Sequence, residues 1–555
     1  MRSPVGVRTT RILYQPMDAA NEGFTRARPS PIRPHVALAV ILTAGFCSRL
    51  LYLLLAVRTP GFRWEDPDGY LDHALMLARA DGWHWTFDVA KYVANGQVYA
   101  LPPLYSIFLS GVALFPGMPF SAQFAQIVLS TIAIALVFTL GRMLHSSATG
   151  LWASAASAAS VSNIFSVWST SQETLYIPLL LLAFVLYARA LIRDAGPLAF
   201  GAAGAVLGLA ALTRSMPLFF VVPFAALHVV TAPNRSVALR QSAVYLAGFA
   251  IVVAPYCVGL SRSLGQLTVI DSHTGFHVDA SGSVQRAPGL TATAEAFRHV
   301  IAADPVAFLQ DCAGRARSLL YVNGGRQLQI YVVAGSKATA ILWKFVAHIG
   351  TDALLITAAV LAWPGAVLCR NTRLALAFLL WAALNIVIAS VGGFGGARLR
   401  APFEPLLLIL GAVVLAGGWR SRPPPVIALA VALGFMMAVI VIPQLPRSLR
   451  SWPDYGVEWP SVRNRNIGSI HGTGGFNVPA YGGVAEFRVR PTADTAAVQL
   501  DVRAGGETVQ SVRLNQEQRS IAWPWPRRGL AFAELSAVDA ETRAPADVRV
   551  EVGPR

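Results

Sequence analysis

VALAVILTAGFCSRLLYLLLAV, at residues 36–57, is the stretch that decides the class of this protein, because it is an apolar run of membrane-spanning length. A helix needs about 20 consecutive apolar residues to cross the hydrocarbon core of a bilayer. The run is longer than the apolar part of a signal peptide and follows a long tail with several arginines, so it predicts a retained anchor. Arg49 lies inside it, which predicts a buried contact with an acid or a carbonyl.

The rest of the chain repeats this apolar character. Hydrophobic residues make up 54% of the 555 residues and charged residues only 13%, whereas a soluble chain carries about 25% charged residues. We therefore predict an all-α polytopic membrane bundle of about eleven helices. The segments that qualify are approximately 36–57, 121–144, 147–165, 174–193, 197–213, 217–232, 242–260, 344–368, 373–391, 403–419 and 425–443.

Every second short loop between these segments is basic, and this pattern predicts the orientation of the chain in the membrane. Loops rich in arginine stay in the cytoplasm. Residues 1–35 then form a cytoplasmic tail, and loops of about 58–120 and 261–343 lie on the outer side. The same pattern accounts for the net charge of +16 without nucleic acid, for which the sequence has no binding signature. The basic loop residues are Arg142, Arg189, Arg193, Arg235, Arg240, Arg370, Arg373, Arg420 and Arg422.

Two outer segments differ from the predicted spans. Pro102–Phe115 is apolar but short, and crossing there would move every later basic loop to the other side, so we expect a helix at the membrane interface. Residues 445–555 contain AEFRVR, AVQLDVRA and TVQSVRL, in which apolar and polar residues alternate as in strands. This predicts an extracytoplasmic β-sandwich-like domain at 445–555, after a membrane domain at 36–444.

Carboxylates stand close to the predicted outer surface at two places. Asp66 and Asp68 precede an amphipathic stretch in the first outer loop, and Glu173 opens a predicted span. Such positions suit a base that meets a lipid-borne substrate. They suit equally well acids that cap helix starts and interact with the helix dipole.

Arginines stand at the same predicted level. Arg214 lies in the turn between two short spans, and Arg398 and Arg400 lie just outside a later one. A guanidinium binds phosphate through a planar fork of donors, so the set could hold a phosphate group. The alternative for each is snorkelling to phospholipid headgroups.

A series of short motifs runs in order through the membrane part of the chain. It comprises Arg49-Leu50-Leu51-Tyr52, Asp66-Pro67-Asp68-Gly69-Tyr70, Pro102-Pro103-Leu104-Tyr105, Leu140-Gly141-Arg142, Glu173-Thr174-Leu175, Gly208–Arg214, Pro255-Tyr256 with Gly275 after it, and Arg398-Leu399-Arg400-Ala401-Pro402. In this order they resemble the GT-C glycosyltransferases, in particular the bacterial branch related to dolichyl-phosphate-mannose protein mannosyltransferases and aminoarabinose transferases. The resemblance covers about residues 35–420 and leaves out the tail.

The resemblance implies a GT-C-like bundle and transfer of a sugar from a polyprenyl phosphate, with inversion at the anomeric carbon. It implies Asp66 as general base on the acceptor hydroxyl, with Asp68 as a neighbour. Glu173 would be the second acidic group, near the acceptor or a metal. Many relatives carry Asp-Glu in the first loop, whereas here Glu65-Asp66 is followed by proline. Which carboxylate is the base therefore stays open, and no cofactor beyond an optional divalent metal is implied.

The same resemblance implies the partners. Arg214, Arg398 and Arg400 would neutralise the phosphate leaving group, and Tyr70 is a candidate substrate-binding residue. The partners are a polyprenyl-phosphate sugar, the lipid bilayer and a glycan, glycolipid or protein acceptor. The expected location is the plasma membrane of a bacterium, with the N-terminus in the cytoplasm. The sequence specifies neither sugar nor acceptor.

Two other functions fit a polytopic chain. A transporter or lipid flippase usually shows related halves and charges near the bilayer midplane, whereas here the charges cluster at one face and the halves look unrelated. A non-catalytic scaffold that presents the β-rich tail predicts that Asp66 can be neutralised without loss of function.

Overall fold

The computed structural model describes residues 33–58, 102–160, 170–193, 195–264, 305–319, 337–391 and 401–441, and most of 468–551. Shorter described pieces lie within 70–77, 91–100, 163–167 and 267–302. Statements about structure below refer to these residues.

The described residues of the membrane part are mainly helical. Thirteen α-helices lie in these residues. They are α1 (Pro34–Arg58), α2 (Pro103–Val112), α3 (Phe120–Leu144), α4 (Ser147–Ala158), α5 (Glu173–Ile192), α6 (Pro197–Thr213), α7 (Val221–Thr231), α8 (Arg235–Leu264), α9 (Pro305–Leu319), α10 (Lys337–Leu368), α11 (Thr372–Val391), α12 (Glu404–Leu415) and α13 (Pro424–Val441). Two 3-10 turns, Met216–Phe219 and Gly418–Ser421, join neighbouring helices.

Five described helices are long and apolar enough to cross a membrane, namely α1, α3, α5, α8 and α11. The chain is therefore a multi-pass membrane protein. Six shorter apolar segments accompany these helices, and five of them fall within other predicted spans. The count of eleven crossings stays a prediction. The sixth is α2, whose ten residues rise about 15 Å, half of a typical hydrocarbon core. Its length agrees with the prediction that 102–115 does not cross by itself.

Helices of the bundle pack closely at glycine residues where they cross. A Cβ added at Gly204 of α6 would collide with the carbonyl oxygen of Tyr245 on α8, and one at Gly365 of α10 with that of Leu410 on α12. Glycine at these positions lets the backbones touch, and close packing of this kind holds helices together in lipid.

Arg49 explains where α4 ends. Its side chain is fully buried, and Nη1 donates to the carbonyl oxygen of Ala158 at 3.2 Å, while Nη2 donates to that of Ser157 at 3.4 Å. Its Nε donates to Ser130 Oγ at 2.8 Å. The predicted carbonyl partner is thus present. Since α4 ends at Ala158, the predicted span 147–165 is not one continuous helix, because the guanidinium satisfies carbonyls that a further turn would have used.

Two short hairpins lie in the predicted outer loops. Lys91–Ala94 (β1) pairs with Gln97–Ala100 (β2), and His277–Val278 (β3) pairs with Val284–Gln285 (β4).

The C-terminal tail forms an antiparallel sheet of eight described strands with its own buried core. The predicted strands are present, and the alternation that predicted them appears as alternating burial along Arg519–Pro524. Hydrogen bonds link all eight strands into one sheet that branches at β7, where β10 pairs outside the main order β5-β12-β7-β6-β11-β8-β9. The strands are β5 (Gly468–His471), β6 (Thr473–Tyr481), β7 (Val484–Pro491), β8 (Val498–Ala504), β9 (Glu507–Leu514), β10 (Arg519–Pro524), β11 (Gly529–Asp539) and β12 (Asp547–Glu551).

Candidate functional site

Polar side chains gather where α5 begins and α6 ends, and we call this end of the bundle the Glu173 end. Glu173 is the first residue of α5, and Arg214 directly follows the last residue of α6. A carboxylate at a helix N-terminus and a cation at a helix C-terminus both interact favourably with the helix dipoles. The chain therefore supplies opposite charges to adjacent helix ends.

Glu173 and Arg214 form an ion pair, with Arg214 Nη1 and Glu173 Oε1 at 2.6 Å. Only 12% of the arginine side chain and 9% of the glutamate side chain are exposed. The second carboxylate oxygen, Oε2, accepts a hydrogen bond from Ser171 Oγ at 2.6 Å. Buried charges persist in a protein only when they are paired and hydrogen-bonded, and both conditions hold for this glutamate.

Gln126 of α3 fixes the chain that leads into Glu173. Its Oε1 is fully buried within an apolar span and accepts hydrogen bonds from Tyr105 Oη at 2.8 Å and Ser171 N at 3.1 Å. It also accepts one from Thr174 Oγ1 at 3.0 Å. Its own amide donates to Gln123 Oε1. One amide group thus joins α2, α3 and the start of α5.

Tyr70 brings the loop that follows α1 to the same place. Its hydroxyl donates to Gln172 Oε1 at 2.7 Å, and its ring packs edge-on against Tyr105 with ring centroids 5.1 Å apart. Only 1% of the residue is exposed. The side chain therefore contacts the protein interior, directly beside the residue that precedes Glu173.

The structure brings together Tyr70, Glu173 and Arg214 among the predicted site residues. Asp66, Asp68, Arg398 and Arg400 lie outside the described residues, so their predicted roles are untested.

The sequence analysis gave Tyr105 no role beyond its place in a motif, and it missed Gln126 and Ser171 in the hydrogen-bond network and Glu404 at the start of α12. Glu404, 7% exposed, opens α12, and the turn after α12 brings Gly418 beside His145 at the opposite end of the bundle. α12 therefore begins on the side of the bundle away from His145, and Glu404 is its first residue. The available signals were glutamines spaced three apart in an apolar run and an acid opening an apolar helix.

A metal was left open by the resemblance. Among the described residues, no group of three or more His, Cys, Asp or Glu side chains could hold one. Both oxygens of Glu173 are engaged, one by a guanidinium and one by a hydroxyl. The donors among the described residues at the Glu173 end do not by themselves form a site for a divalent cation.

Comparison with known proteins finds a family model that matches part of the chain. Residues 101–258 match the family model described as dolichyl-phosphate-mannose-protein mannosyltransferase. This segment contains Tyr105, Gln126, Glu173 and Arg214. No curated protein sequence matches the chain significantly.

Two solved structures show a low structural similarity to this chain. The Archaeoglobus fulgidus oligosaccharyltransferase, in complex with zinc and sulfate, is 15% identical with a TM-score of 0.45, over 77% of this chain and 54% of that one. ArnT from Cupriavidus metallidurans, bound to undecaprenyl phosphate, is 15% identical with a TM-score of 0.43, over 73% of this chain and 63% of that one. The chain thus spans between half and two thirds of their lengths, and a likeness of this degree carries no conclusion about activity. The family match itself covers the segment that holds the ion pair, and over residues 101–258 the resemblance to the GT-C glycosyltransferases is confirmed.

Proposed function

We propose that this protein is a membrane glycosyltransferase that moves a sugar from a polyprenyl-phosphate donor to an acceptor hydroxyl at the Glu173 end of the bundle. The observation that carries the proposal is the buried Glu173–Arg214 ion pair within the segment that matches the mannosyltransferase family. The pair supports the proposal because it fixes a guanidinium at one end of an apolar bundle, the position proposed for the lipid-linked phosphate.

Arg214 is proposed to bind the phosphate that leaves. A guanidinium has five N–H donors, and the contact with Glu173 uses Nη1. The other donors can serve phosphate oxygens, and Arg398 and Arg400 are proposed to join them. The negative charge that develops on the phosphate as the bond to the sugar breaks is then met by fixed cations, a large source of rate in a dry site.

Asp66 is proposed as the general base, with Asp68 as the alternative. The acceptor oxygen forms a bond to the anomeric carbon on the face opposite the phosphate, while the carbon–oxygen bond to the phosphate breaks and its electron pair stays on the phosphate. The acceptor proton passes to the carboxylate. Inversion at the anomeric carbon follows from this single displacement.

Tyr70 is proposed to act by holding the acidic motif rather than by meeting substrate. The chain from Asp66 to Tyr70 can span at most about 14 Å. The Tyr70 side chain is hydrogen-bonded to Gln172, the residue before Glu173. The short chain between Asp66 and Tyr70 therefore limits how far Asp66 can lie from Glu173. Glu173 in turn orients Arg214 through their ion pair.

The orientation is proposed from the basic loops. With these in the cytoplasm, residues 1–35 are cytoplasmic, and the loops of about 58–120 and 261–343 and the domain at 445–555 lie outside. The Glu173 end then faces the extracytoplasmic side of the proposed bacterial plasma membrane. The count of eleven crossings belongs to this proposal.

The test is transfer in proteoliposomes from a panel of labelled polyprenyl-phosphate sugars, with Asp66→Asn compared with wild type. The matched control is Asp539→Asn, at the end of β11 in the C-terminal sheet. We expect the first variant to fold and lose transfer, and the control to keep it.

Equal transfer by Asp66→Asn and wild type would remove Asp66 from its role. If wild type transfers from no donor in the panel yet moves a solute or lipid across the membrane, the transporter alternative replaces the proposal.

A further inference from the structure

Helix α9, in the predicted second outer loop, has two different faces. Phe308, Cys312 and Arg315 are partly buried on the side that packs against α11. Val306 and Leu309 lie on the other side and are 62% and 66% exposed. Two large apolar side chains are thus exposed outside the predicted membrane spans. They would contact water unless lipid or protein covered them.

Arg315 fixes α9 to the end of a membrane helix. Its Nη1 donates to the carbonyl oxygen of Ser390 at 2.9 Å. Ser390 is the penultimate residue of α11, a 20-residue helix long and apolar enough to cross the membrane. The last carbonyls of a helix have no partner within it, so the guanidinium both satisfies one and holds α9 at the level where the span ends.

The position of α11 shows at which end of the bundle α9 lies. Asn371, immediately before α11, donates its N–H to the carbonyl oxygen of Leu144 at the far end of α3 from Gln126. Trp381, near the middle of α11, packs edge-on against Phe184, near the middle of α5, with ring centroids 5.6 Å apart. The C-terminal half of α11 therefore extends toward the end where α5 begins, and α9 lies at the Glu173 end.

We propose that α9 lies in the plane of the membrane interface, with Leu309 and Val306 inserted among the lipid acyl chains of the leaflet at the Glu173 end. The partner is the phospholipid surface itself. A helix at the end of a span, with an apolar outer face and a polar anchor on its inner face, meets the requirements for interfacial binding. This inference does not depend on the proposed glycosyl transfer.

The experiment measures what surrounds position 309 in the full-length protein. The four native cysteines are replaced by serine or alanine, Leu309→Cys is introduced, and the thiol is labelled with bimane. The protein is placed in nanodiscs of phosphatidylcholine and phosphatidylglycerol, with or without doxyl-labelled lipid. The matched control is Thr508→Cys, an exposed position on the C-terminal sheet.

We expect doxyl lipid to quench the label at 309 by about twofold or more relative to the label at 508, as for a side chain seated at the acyl boundary. Aqueous iodide should show the opposite preference. Quenching at 309 by iodide alone would place this face in water, and quenching by neither agent would mean that protein covers it. Either result overturns the proposal.

Discussion

The two ends of the helix bundle use buried charge in different ways. At the Glu173 end, charged and polar side chains bond to one another, as in the Glu173–Arg214 pair. At the opposite end, which we call the His145 end, side chains bond mainly to backbone. Arg422 donates through Nε and Nη2 to the carbonyl oxygen of Leu368 at 3.3 and 3.2 Å, and also to that of Cys369.

The titratable groups at the His145 end are held in their neutral forms. Burial and the nearby charges of Arg370 and Arg422 lower the pKa of His145 to about 4. Burial raises the pKa of the Cys369 thiol to about 11. Near neutral pH His145 and Cys369 carry no charge, and Arg422 closes a helix end.

The difference teaches that the presence of an arginine does not mark a site. An arginine that caps carbonyls, such as Arg422 or Arg49, completes the backbone hydrogen bonding of a helix end. An arginine paired with a carboxylate keeps donors for a ligand and is oriented by its partner. Four variants test this contrast, from the largest expected effect to the smallest.

The largest effect is expected from Glu173→Gln. It leaves the Arg214 guanidinium buried without its counter-charge, which costs about 3–5 kcal/mol when a buried pair is broken. We expect a large fall in melting temperature in detergent and loss of transfer. The double variant Glu173→Gln/Arg214→Gln should regain most of the stability and none of the transfer. Equal destabilisation by the double and single variants would mean that the pair is not coupled.

Arg214→Lys should mainly affect chemistry. Lysine keeps the charge but loses the planar fork, so the fold should survive while transfer falls about 100-fold, as when one positioned donor is removed. The control is Arg422→Lys at the His145 end, for which we expect transfer close to wild type. Equal losses in both variants would contradict the distinction between the two ends.

Gln126→Leu removes the acceptor shared by Tyr105, Ser171 and Thr174. Leaving buried donors unsatisfied costs about 1–3 kcal/mol, and the start of α5 should lose its fixed position. We expect lower thermal stability together with slower transfer.

The control for Gln126→Leu is Asn371→Ala. Asn371 Oδ1 accepts from Leu374 N at 3.1 Å at the start of α11, and loss of a cap costs about 1 kcal/mol. This variant should lose stability only. If both variants lose transfer in proportion to their loss of stability, the role of Gln126 is structural only.

The smallest effect is expected from pH at the His145 end. Because the folded pKa of about 4 lies below the unfolded value of about 6.5, the unfolded state binds the proton more readily. The stability contribution is complete above pH 6.5 and is lost as pH falls from there toward 4. Since the residue is partly exposed, solvent screening reduces the effect to about 1 kcal/mol. In the His145→Asn variant the melting temperature should depend less on pH in this range. An unchanged pH dependence would mean that other groups cause it.

Much of the fold was predictable because its signals are local. The apolar runs at α1, α3, α5, α8 and α11 predicted the helices that the structure contains. Hydropathy could not place the end of α4, because that end depends on Arg49, which is 109 residues away in the chain.

The candidate site was predicted in part. Glu173, Arg214 and Tyr70 were singled out as charges or motif residues, but nothing local revealed that Tyr70 would bond to Gln172, 102 residues away. Gln126 was missed, and Tyr105 was quoted only as part of a motif, because an uncharged polar side chain in an apolar run gives a weak signal until its partners are known.

The sequence by itself determined that the chain enters a membrane, that its tail forms strands, and which residue types are available for acid–base and phosphate chemistry. These properties follow from transfer free energies and side-chain periodicity, which need no partner. Only the tertiary structure decided which arginine pairs with Glu173, which ones close helix ends, and which tyrosine anchors the first loop. Those choices depend on groups far apart in the chain, and the apolar interior makes them definite because an unpaired charge or donor there is costly.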